Sequence, residues 1–214
     1  MVDRCEIATN PCTVVDLDGT YINGNTLKIY LSCGIRYLLS HFKIRQLTTL
    51  VYAIARRKAG FSSHNEMKAV ILSTLYPYTE ILNDFKKETL KFVNSSVKSL
   101  IYRQQKAGHR ILLATAAPEF YVSTIWDGDL VATRFTPGQP LVECLGEEKL
   151  KRVKQWLHSN NCHLDTVVTD HKDDAPLFHW NKRGTNILVN PSQSTLIFFR
   201  ELQPTHFLLI EELQ

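Results

Sequence analysis

The sequence lacks the features that mark several common protein classes. Its 214 residues include 9 Gly and 8 Pro, too few for a collagen-like or low-complexity chain. Every apolar run is interrupted by Arg, Lys or His before it reaches the roughly 20 residues that a membrane-spanning helix needs. Residues 1–11 include Asp3, Arg4 and Glu6 and no apolar stretch, so we expect no secretory signal there. These absences favour a globular protein of the cytoplasm.

Sequence motifs of several enzyme classes are also missing. There is no Walker loop, no GxGxxG and no HExxH, so nucleotide hydrolysis by a Walker loop, dinucleotide binding and zinc proteolysis have no support. The five cysteines are odd in number and form no CxxC pair, which predicts reduced, mostly buried thiols and again a cytoplasmic protein. They are Cys5, Cys12, Cys33, Cys144 and Cys162.

Strand and helix signals alternate along most of the chain. Alternation of this kind predicts an α/β fold, a Rossmann-like parallel sheet with helices on both faces. Strands are predicted at 12–16, 110–115, 130–135, 166–170 and 186–190, with a further strand within 205–213. Helices are predicted at 118–126, 147–158 and 174–180.

One long segment departs from this alternation and shows helical periodicity throughout. It follows the first strand and predicts helices at 26–42, 47–59 and 64–75, then one long helix at 80–105 that ends near Gly108. We therefore predict a core domain made of residues 1–21 and 89–214, with a helical cap domain at 22–88 inserted into it.

The distribution of charged residues follows a similar division of the chain. Residues 21–107 hold 14 Lys and Arg but 4 Asp and Glu, whereas the remainder holds 11 basic and 17 acidic residues. An acidic core below a basic lid suits a cation in the core and an anionic substrate between the two, although a solvated basic surface explains the same balance. Because the basic residues are dispersed rather than clustered, we expect no nucleic-acid partner.

Two carboxylates follow the first predicted strand, in the run Asp16–Leu17–Asp18–Gly19–Thr20. Side chains at i and i+2 can point into one crevice if the chain turns, which Gly19 permits. A carboxylate beside a divalent cation is a competent nucleophile toward phosphorus, and a second one can exchange protons with the leaving oxygen and with water. Taken alone, the run also fits an ordinary turn.

Thr115 and Lys149 are candidates for binding a phosphate. Thr115 ends the second predicted strand, where its hydroxyl and the backbone N–H groups that follow, beginning with Ala116, can donate to phosphate oxygens. Lys149 lies at a predicted helix start, where an ammonium can neutralise both a phosphate and an attacking carboxylate. Each has a plainer explanation: Thr115 also fits a threonine that caps the next helix, and Lys149 also fits an ordinary surface lysine.

An acidic loop follows the strand at 166–170. Its carboxylates, Asp170, Asp173 and Asp174, can complete an oxygen-rich site of the kind that Mg²⁺ prefers. The alternative is a loop that caps the helix beginning near Asp174.

In their order along the chain, these four groups resemble the motifs of the haloacid dehalogenase superfamily. The position of the helical segment is similar to that in its phosphoserine-phosphatase-like branch, where a helical cap lies between the first and second motifs. The resemblance implies a Mg²⁺-dependent phosphomonoesterase that works through an aspartyl-phosphate.

Site roles follow from the resemblance position by position. Asp16 would be the nucleophile and a metal ligand, and Asp18 the general acid and base with its carbonyl on the metal. Thr115, Ala116 and Lys149 would hold the phosphate. Asp170 would be the third metal ligand, with Asp174 also at the metal, orienting Asp170 or a metal-bound water. Thr169 stands where the family usually has Gly or Ser, and the extra Asp173 leaves open whether Asp173 or Asp174 is the second acid of this motif.

The substrate stays open at this point, and so do two other functions. A small phosphorylated metabolite is the favoured substrate, and a lipid phosphate reached by peripheral contact of the stretch 27–58 with an anionic membrane is the less favoured one. A phosphotransferase would share the first half-reaction, and an inactive interaction protein could use the same fold. The sequence predicts no oligomeric state.

Overall fold

The fold is built on a six-stranded parallel sheet, seen in a computed structural model that describes residues 10–202 and 205–211. The strands are β1 (Asn10–Val15), β2 (Arg110–Pro118), β3 (Asp129–Thr133), β4 (Cys162–Thr169), β5 (Thr185–Val189) and β6 (Leu208–Ile210). Their order across the sheet is β3-β2-β1-β4-β5-β6, so β1 lies at the centre between β2 and β4. This confirms the predicted α/β fold class.

Both faces of the sheet are buried, which is why its strands read as nearly continuous apolar runs. Successive side chains alternate between the faces: Val14 belongs to one apolar cluster and Val15 to the other. The face that bears Val14 is covered by α7 (Gly146–Ser159) and α8 (Ala175–Trp180). The opposite face is covered by α5 (Ser95–Lys106) and α6 (Glu119–Val122).

Four helices separate β1 from α5 and form what we call the helical insertion. They are α1 (Thr26–Ser40), α2 (Ile44–Lys58), α3 (His64–Leu75) and α4 (Ile81–Thr89). α1 packs against α4, and α2 packs against α3. Their apolar faces join the same buried cluster as α5 and α6, through residues such as Tyr30, Leu72 and Phe85. The insertion is therefore continuous with one side of the core.

The prediction of one helix over 80–105 is wrong. After α4 comes a short 3-10 turn (Leu90–Phe92), then extended backbone, and α5 begins afresh with Asn94 as its N-cap. The interruption occurs because the chain pairs there with the segment that follows β1: Asn23 N donates to Phe92 O (2.7 Å) and Asn94 N donates to Tyr21 O (2.9 Å). The two connections between the insertion and the sheet are thus hydrogen-bonded to each other.

The remaining differences from the predicted elements are small. The predicted helix at 118–126 is shorter, since α6 ends at Val122, and the predicted strand in 205–213 is the short β6. A helix that we did not predict, α9 (Gln193–Ile197), begins at the N-cap Ser192 and continues into a π turn before β6.

Some predictions fall on residues outside the described ones. Residues 1–9, with Cys5 and the region assessed for a signal, lie there, as do 203–204 and 212–214. The other four cysteines are buried and unpaired, as predicted. Within the described part of the chain, no helix combines the length and hydrophobicity needed to cross a membrane.

Candidate active site

The predicted site residues converge where the central strands end. Asp16 follows β1 and stays in register with β4, because its backbone N–H donates to Val168 O (2.9 Å). Asp170 follows β4 directly, and Thr115 lies near the corresponding end of β2. Open parallel sheets bind ligands at this carboxyl edge, and here it brings together side chains that are far apart in sequence.

Lys149 joins the segments that follow β1 and β4. It lies in the first turn of α7 and is only 2% exposed. Its Nζ is 2.8 Å from Oδ1 of Asp16 and 2.7 Å from Oδ1 of Asp174. Burial opposes the charge of Lys149, but the two carboxylates outweigh burial and hold the pKa of this lysine above its usual value. Lys149 is therefore a fixed cation beside Asp16.

Asp173 and Asp174 have different surroundings. Asp174 is buried, and besides its ion pair with Lys149 it accepts a hydrogen bond at Oδ2 from Thr169 Oγ1 (2.8 Å). Asp173 is exposed and lies 3.2 Å from Nδ1 of His171. Both acids line the cavity over the site, and Asp174 is the one that contacts Lys149. Because its two oxygens contact Lys149 and Thr169, its geometry suits holding that lysine in place.

Gly19 allows Asp170 to approach the loop that carries Asp16 and Asp18. Its φ of 79° lies in the left-handed region, and a Cβ placed on it would come within 2.1 Å of Oδ2 of Asp170. Thr20 in the same loop donates from Oγ1 to Oδ1 of Asp170 (3.3 Å). A residue with a side chain at position 19 would occupy the place of the Asp170 carboxylate.

Asp18 connects the site to the helical insertion. Its Oδ1 accepts a hydrogen bond from the backbone N–H of Thr26, the first residue of α1, at 2.6 Å. Burial raises the pKa of Asp18 above its ordinary value, although the hydrogen bond from Thr26 opposes the rise. The first helix of the insertion therefore orients this carboxyl group.

The Thr115 segment is held so that donors face the site. Thr115 is buried, and its Oγ1 accepts from the backbone N–H of Ala117 (3.0 Å), which leaves the hydroxyl hydrogen available to a ligand. The carbonyl of Ala116 accepts from Thr133 Oγ1 (2.8 Å), and Thr133 in turn accepts from the N–H of Cys144 (2.9 Å). The peptide at 115–117 is thus fixed from two sides.

A residue that the sequence analysis did not select, Lys68 of α3, completes this arrangement. It is buried, donates from Nζ to Ala116 O (2.9 Å) and forms an ion pair with Glu143, which precedes α7. Lys68 therefore connects the insertion directly to the Thr115 segment. Its sequence surroundings resemble those of the other lysines in the insertion, so only its burial identifies it.

Burial and mutual repulsion raise the pKa values of two acids of the site. Burial raises the pKa of Asp16 to about 8, with Asp174 and Asp170 adding to the rise and Lys149 opposing it. The pKa of Asp170 is raised to about 6, chiefly by burial and further by Asp174. Carboxylates this close resist ionising together, and a bound divalent cation would relieve their repulsion.

The donors suit a cation that retains water. Within the described ranges, 10–202 and 205–211, no three His, Cys, Asp or Glu side chains are grouped tightly enough to hold a metal by themselves. Two carboxylates, a backbone carbonyl and water form a ligand set that fits Mg²⁺, since Mg²⁺ prefers oxygen and usually keeps several waters. The residues present therefore fit the magnesium that the sequence predicts.

A cavity of about 320 Å³ opens over these groups. Both domains of the predicted architecture contribute to it: the core supplies the acids and Lys149, and the insertion supplies Leu27, His64 and Lys68. A larger groove of about 490 Å³ lies along β3 and α7 and contains none of the predicted site residues. The first cavity is thus the candidate active site.

Solved structures with the same fold include phosphatases. A protein from Bordetella pertussis Tohama I, described as having unknown function, aligns with a TM-score of 0.70 at 15% identity over 95% of this chain and 99% of its own. A phosphoserine phosphohydrolase-like protein from Francisella tularensis aligns with a TM-score of 0.58 at 14% identity over 94% of each chain. A substrate-bound phosphoserine phosphatase gives 0.59 at 13% identity, over 97% of this chain and 95% of its own.

Comparison with curated proteins found no match. The family model for haloacid dehalogenase-like hydrolases matches residues 13–179, a span that begins in β1 and ends in α8 and so includes every predicted site residue. The parallel sheet, the acids at its carboxyl edge and this match agree, and the chain belongs to the haloacid dehalogenase-like hydrolase family.

Proposed function

We propose that this hydrolase is a Mg²⁺-dependent phosphomonoesterase that forms an aspartyl-phosphate on Asp16. The contact that carries the proposal is that of buried Lys149 with both Asp16 and Asp174, at 2.8 and 2.7 Å. A cation fixed beside one acid of the site favours attack by that acid on a phosphate, because the charge that develops is already compensated.

Asp16, Asp170 and the backbone carbonyl of Asp18 would hold the metal. Mg²⁺ bound there screens the repulsion between the Asp16 carboxylate and the phosphate oxygens. We assign Asp174, one of the four predicted metal residues, to positioning Lys149 rather than to the metal, because its oxygens contact Lys149 and Thr169. Lys149, the Thr115 hydroxyl and the Ala116 N–H would bind the phosphate.

Catalysis would take place in two steps. An oxygen of Asp16 attacks phosphorus while the bond to the ester oxygen breaks, and Asp18 donates a proton to the departing alcohol. Asp18 then accepts a proton from water as the water oxygen attacks phosphorus, and phosphate leaves with Asp16 regenerated. The hydrogen bond from Thr26 N to Asp18 keeps this group in place for both proton transfers.

We also propose the domain division and the setting of the enzyme. The hydrogen-bonded connections at 21–23 and 92–94 support a core of residues 1–21 and 89–214 and a cap at 22–88, which contains all of the helical insertion except its last residue. The cavity of about 320 Å³ suits a small phosphorylated metabolite. The four buried, unpaired cysteines support a reducing compartment, the cytoplasm.

Hydrolysis of p-nitrophenyl phosphate tests the proposal. The full chain with Mg²⁺ should release phosphate, and Asp16→Asn should abolish release, because an amide neither attacks phosphorus nor ligates the metal as a carboxylate does. Asp173→Asn is the matched control and should keep most of the activity, because this acid lines the cavity but is exposed and lies beside His171.

Two outcomes would change the assignment. A folded, metal-loaded wild type that is inert on sugar, amino-acid, nucleotide and lipid phosphates would favour an interaction protein on the same fold. Transfer of the phosphate to an added alcohol in preference to water would favour a phosphotransferase.

A further inference from the structure

The outer face of the helical insertion exposes a line of large apolar side chains. In α2, Leu50 and Ala53 are buried, and at 100° per residue Ile44, Val51 and Tyr52 fall on the outward side. We call this surface the aromatic strip. It consists of Leu39, Phe42, Ile44, Val51, Tyr52 and Phe61. Because Phe42 and Phe61 flank the two ends of α2, the strip extends over about 22 Å.

Phe42 shows that this exposure is not a by-product of folding. Its side chain is 84% exposed, and its φ of 53° is in the left-handed region that bulky residues rarely adopt. Asn or Gly would relieve the backbone at this turn, and the ring belongs to neither buried cluster. A strained residue that presents an aromatic ring to solvent points to a role outside the fold.

The charges around the strip are all of one sign along the sequence. Between Asp18 and Glu66 there is no acidic residue, while the stretch contains seven Lys and Arg. Five of these lie in α2 or next to it and are exposed: Lys43, Arg45, Arg56, Arg57 and Lys58. Glu66, the first acid after the gap, is engaged in the N-terminal capping box of α3 with Ser63.

Arg56 contacts two residues of the strip, Tyr52 and Phe61. Its guanidinium lies over the ring of Tyr52, 5.8 Å from the centroid, and donates a hydrogen bond to Phe61 O (3.0 Å). The turn that presents Phe61, which is 75% exposed, is thus tied to the outward face of α2. Glu66 lies beside Tyr52 and Arg56 at this surface, but basic side chains outnumber it. Exposed aromatic rings among mostly basic side chains complement an anionic lipid surface, which takes the rings between headgroups and the cations on phosphates.

We propose that the aromatic strip docks the helical insertion on the surface of an anionic phospholipid membrane. α3 begins at His64, three residues after Phe61, and its His64 and Lys68 line the active-site cavity. Docking would therefore bring the bilayer surface close to α3, the helix that also lines the active-site cavity. The proposal concerns binding only and holds independently of the proposed phosphatase activity.

Vesicle flotation of the full chain tests the docking. The protein should float with phosphatidylcholine vesicles that contain about 30% phosphatidylglycerol, should float little with phosphatidylcholine alone, and should dissociate at high salt. The double variant Phe42→Asn/Phe61→Ser should bind the anionic vesicles at least about tenfold more weakly than the wild type, because it removes the two most exposed rings of the strip. Asn suits the left-handed φ at position 42. Arg57→Gln/Lys58→Gln should weaken binding mainly at low salt.

A matched control exists on α5, where Lys106 lies over the exposed ring of Tyr102 at 5.5 Å. Tyr102→Ser/Lys106→Gln should float like the wild type. Absence of flotation with anionic vesicles, as expected if the strip binds an acidic protein instead, would overturn the proposal. So would equal losses in the control, or undiminished binding of the Phe42/Phe61 variant.

Hydrolysis of p-nitrophenyl phosphate, measured on the same samples, separates the two proposals. The strip variants should keep wild-type activity in solution, which also shows that they are folded. Flotation without hydrolysis contradicts the proposed function alone, and hydrolysis without flotation contradicts the docking alone.

Discussion

The carboxyl edge of the sheet and the outer face of the helical insertion use charge in opposite ways. At the sheet edge, the carboxylates of Asp16 and Asp174 contact the buried Lys149. Two half-buried carboxylates nearby, those of Asp18 and Asp170, accept hydrogen bonds from threonines. On the outer face of the insertion, the basic side chains in and next to α2 are exposed to water. Buried charges interact strongly because the surroundings are poorly polarisable, whereas exposed charges are screened by water and salt. We therefore expect changes at the first region to affect chemistry and folding, and changes at the second to affect mainly binding.

Of the changes that compare the two regions, replacement of Lys149 should have the largest effect, which is on kcat. Lys149→Met should lower kcat roughly 10²–10³-fold, because it removes the cation that compensates charge at Asp16 and the bound phosphate. Lys151→Met, two residues along the same helix but exposed and 3.8 Å from Glu148, should leave kcat unchanged. Steady-state kinetics per folded protein, with folding checked by near-ultraviolet circular dichroism, measures both. Equal effects of the two substitutions would remove the distinction between buried and exposed charge.

The next largest effect, a loss of stability, is expected when the Lys68–Glu143 ion pair is broken. This pair joins the helical insertion to the segment before α7. Lys68→Met should lower the free energy of unfolding by about 3 kcal/mol, because Glu143 would stay buried without its cation. The double variant Lys68→Met/Glu143→Met should recover much of this loss, since no charge is then left unpaired. Urea unfolding measures both, and a double variant less stable than the single one would contradict the account.

A smaller effect is expected from a pair of glycines with the same φ of 79°, one in each region. Gly60→Ala, in the insertion with open space around it, should cost only the left-handed strain, about 1 kcal/mol. Gly19→Ala should cost about 2 kcal/mol or more, because its Cβ also collides with Asp170. Thermal unfolding measures the difference, and equal costs would mean that Asp170 does not need to lie against this loop.

Local sequence was sufficient to predict those parts of the fold and the site that depend on a single strand or a single turn. The acids at 16 and 18 and the hydroxyl at 115 follow apolar runs, and a parallel sheet necessarily brings the ends of such runs to one edge. The family match confirms the fold class and a hydrolase, while the individual site roles stay predictions.

The remainder depends on contacts between distant segments. The helix predicted at 80–105 is interrupted because Asn94 pairs with Tyr21, a contact that no periodicity contains. Lys68 is identified by its burial and its contact with Ala116, and Asp174 is distinguished from Asp173 by its burial and its contact with Lys149. The exposed ring of Phe42 likewise follows from how α1 ends, since the sequence alone assigns this residue to the helix at 26–42.

Magnesium titration by calorimetry measures whether acids from distant segments share a cation, and it does so without requiring turnover. The wild type should take up a single Mg²⁺ per chain, Asp170→Asn should lose this uptake, and Asp173→Asn should retain it. Uptake by Asp170→Asn as tight as in the wild type would contradict the account.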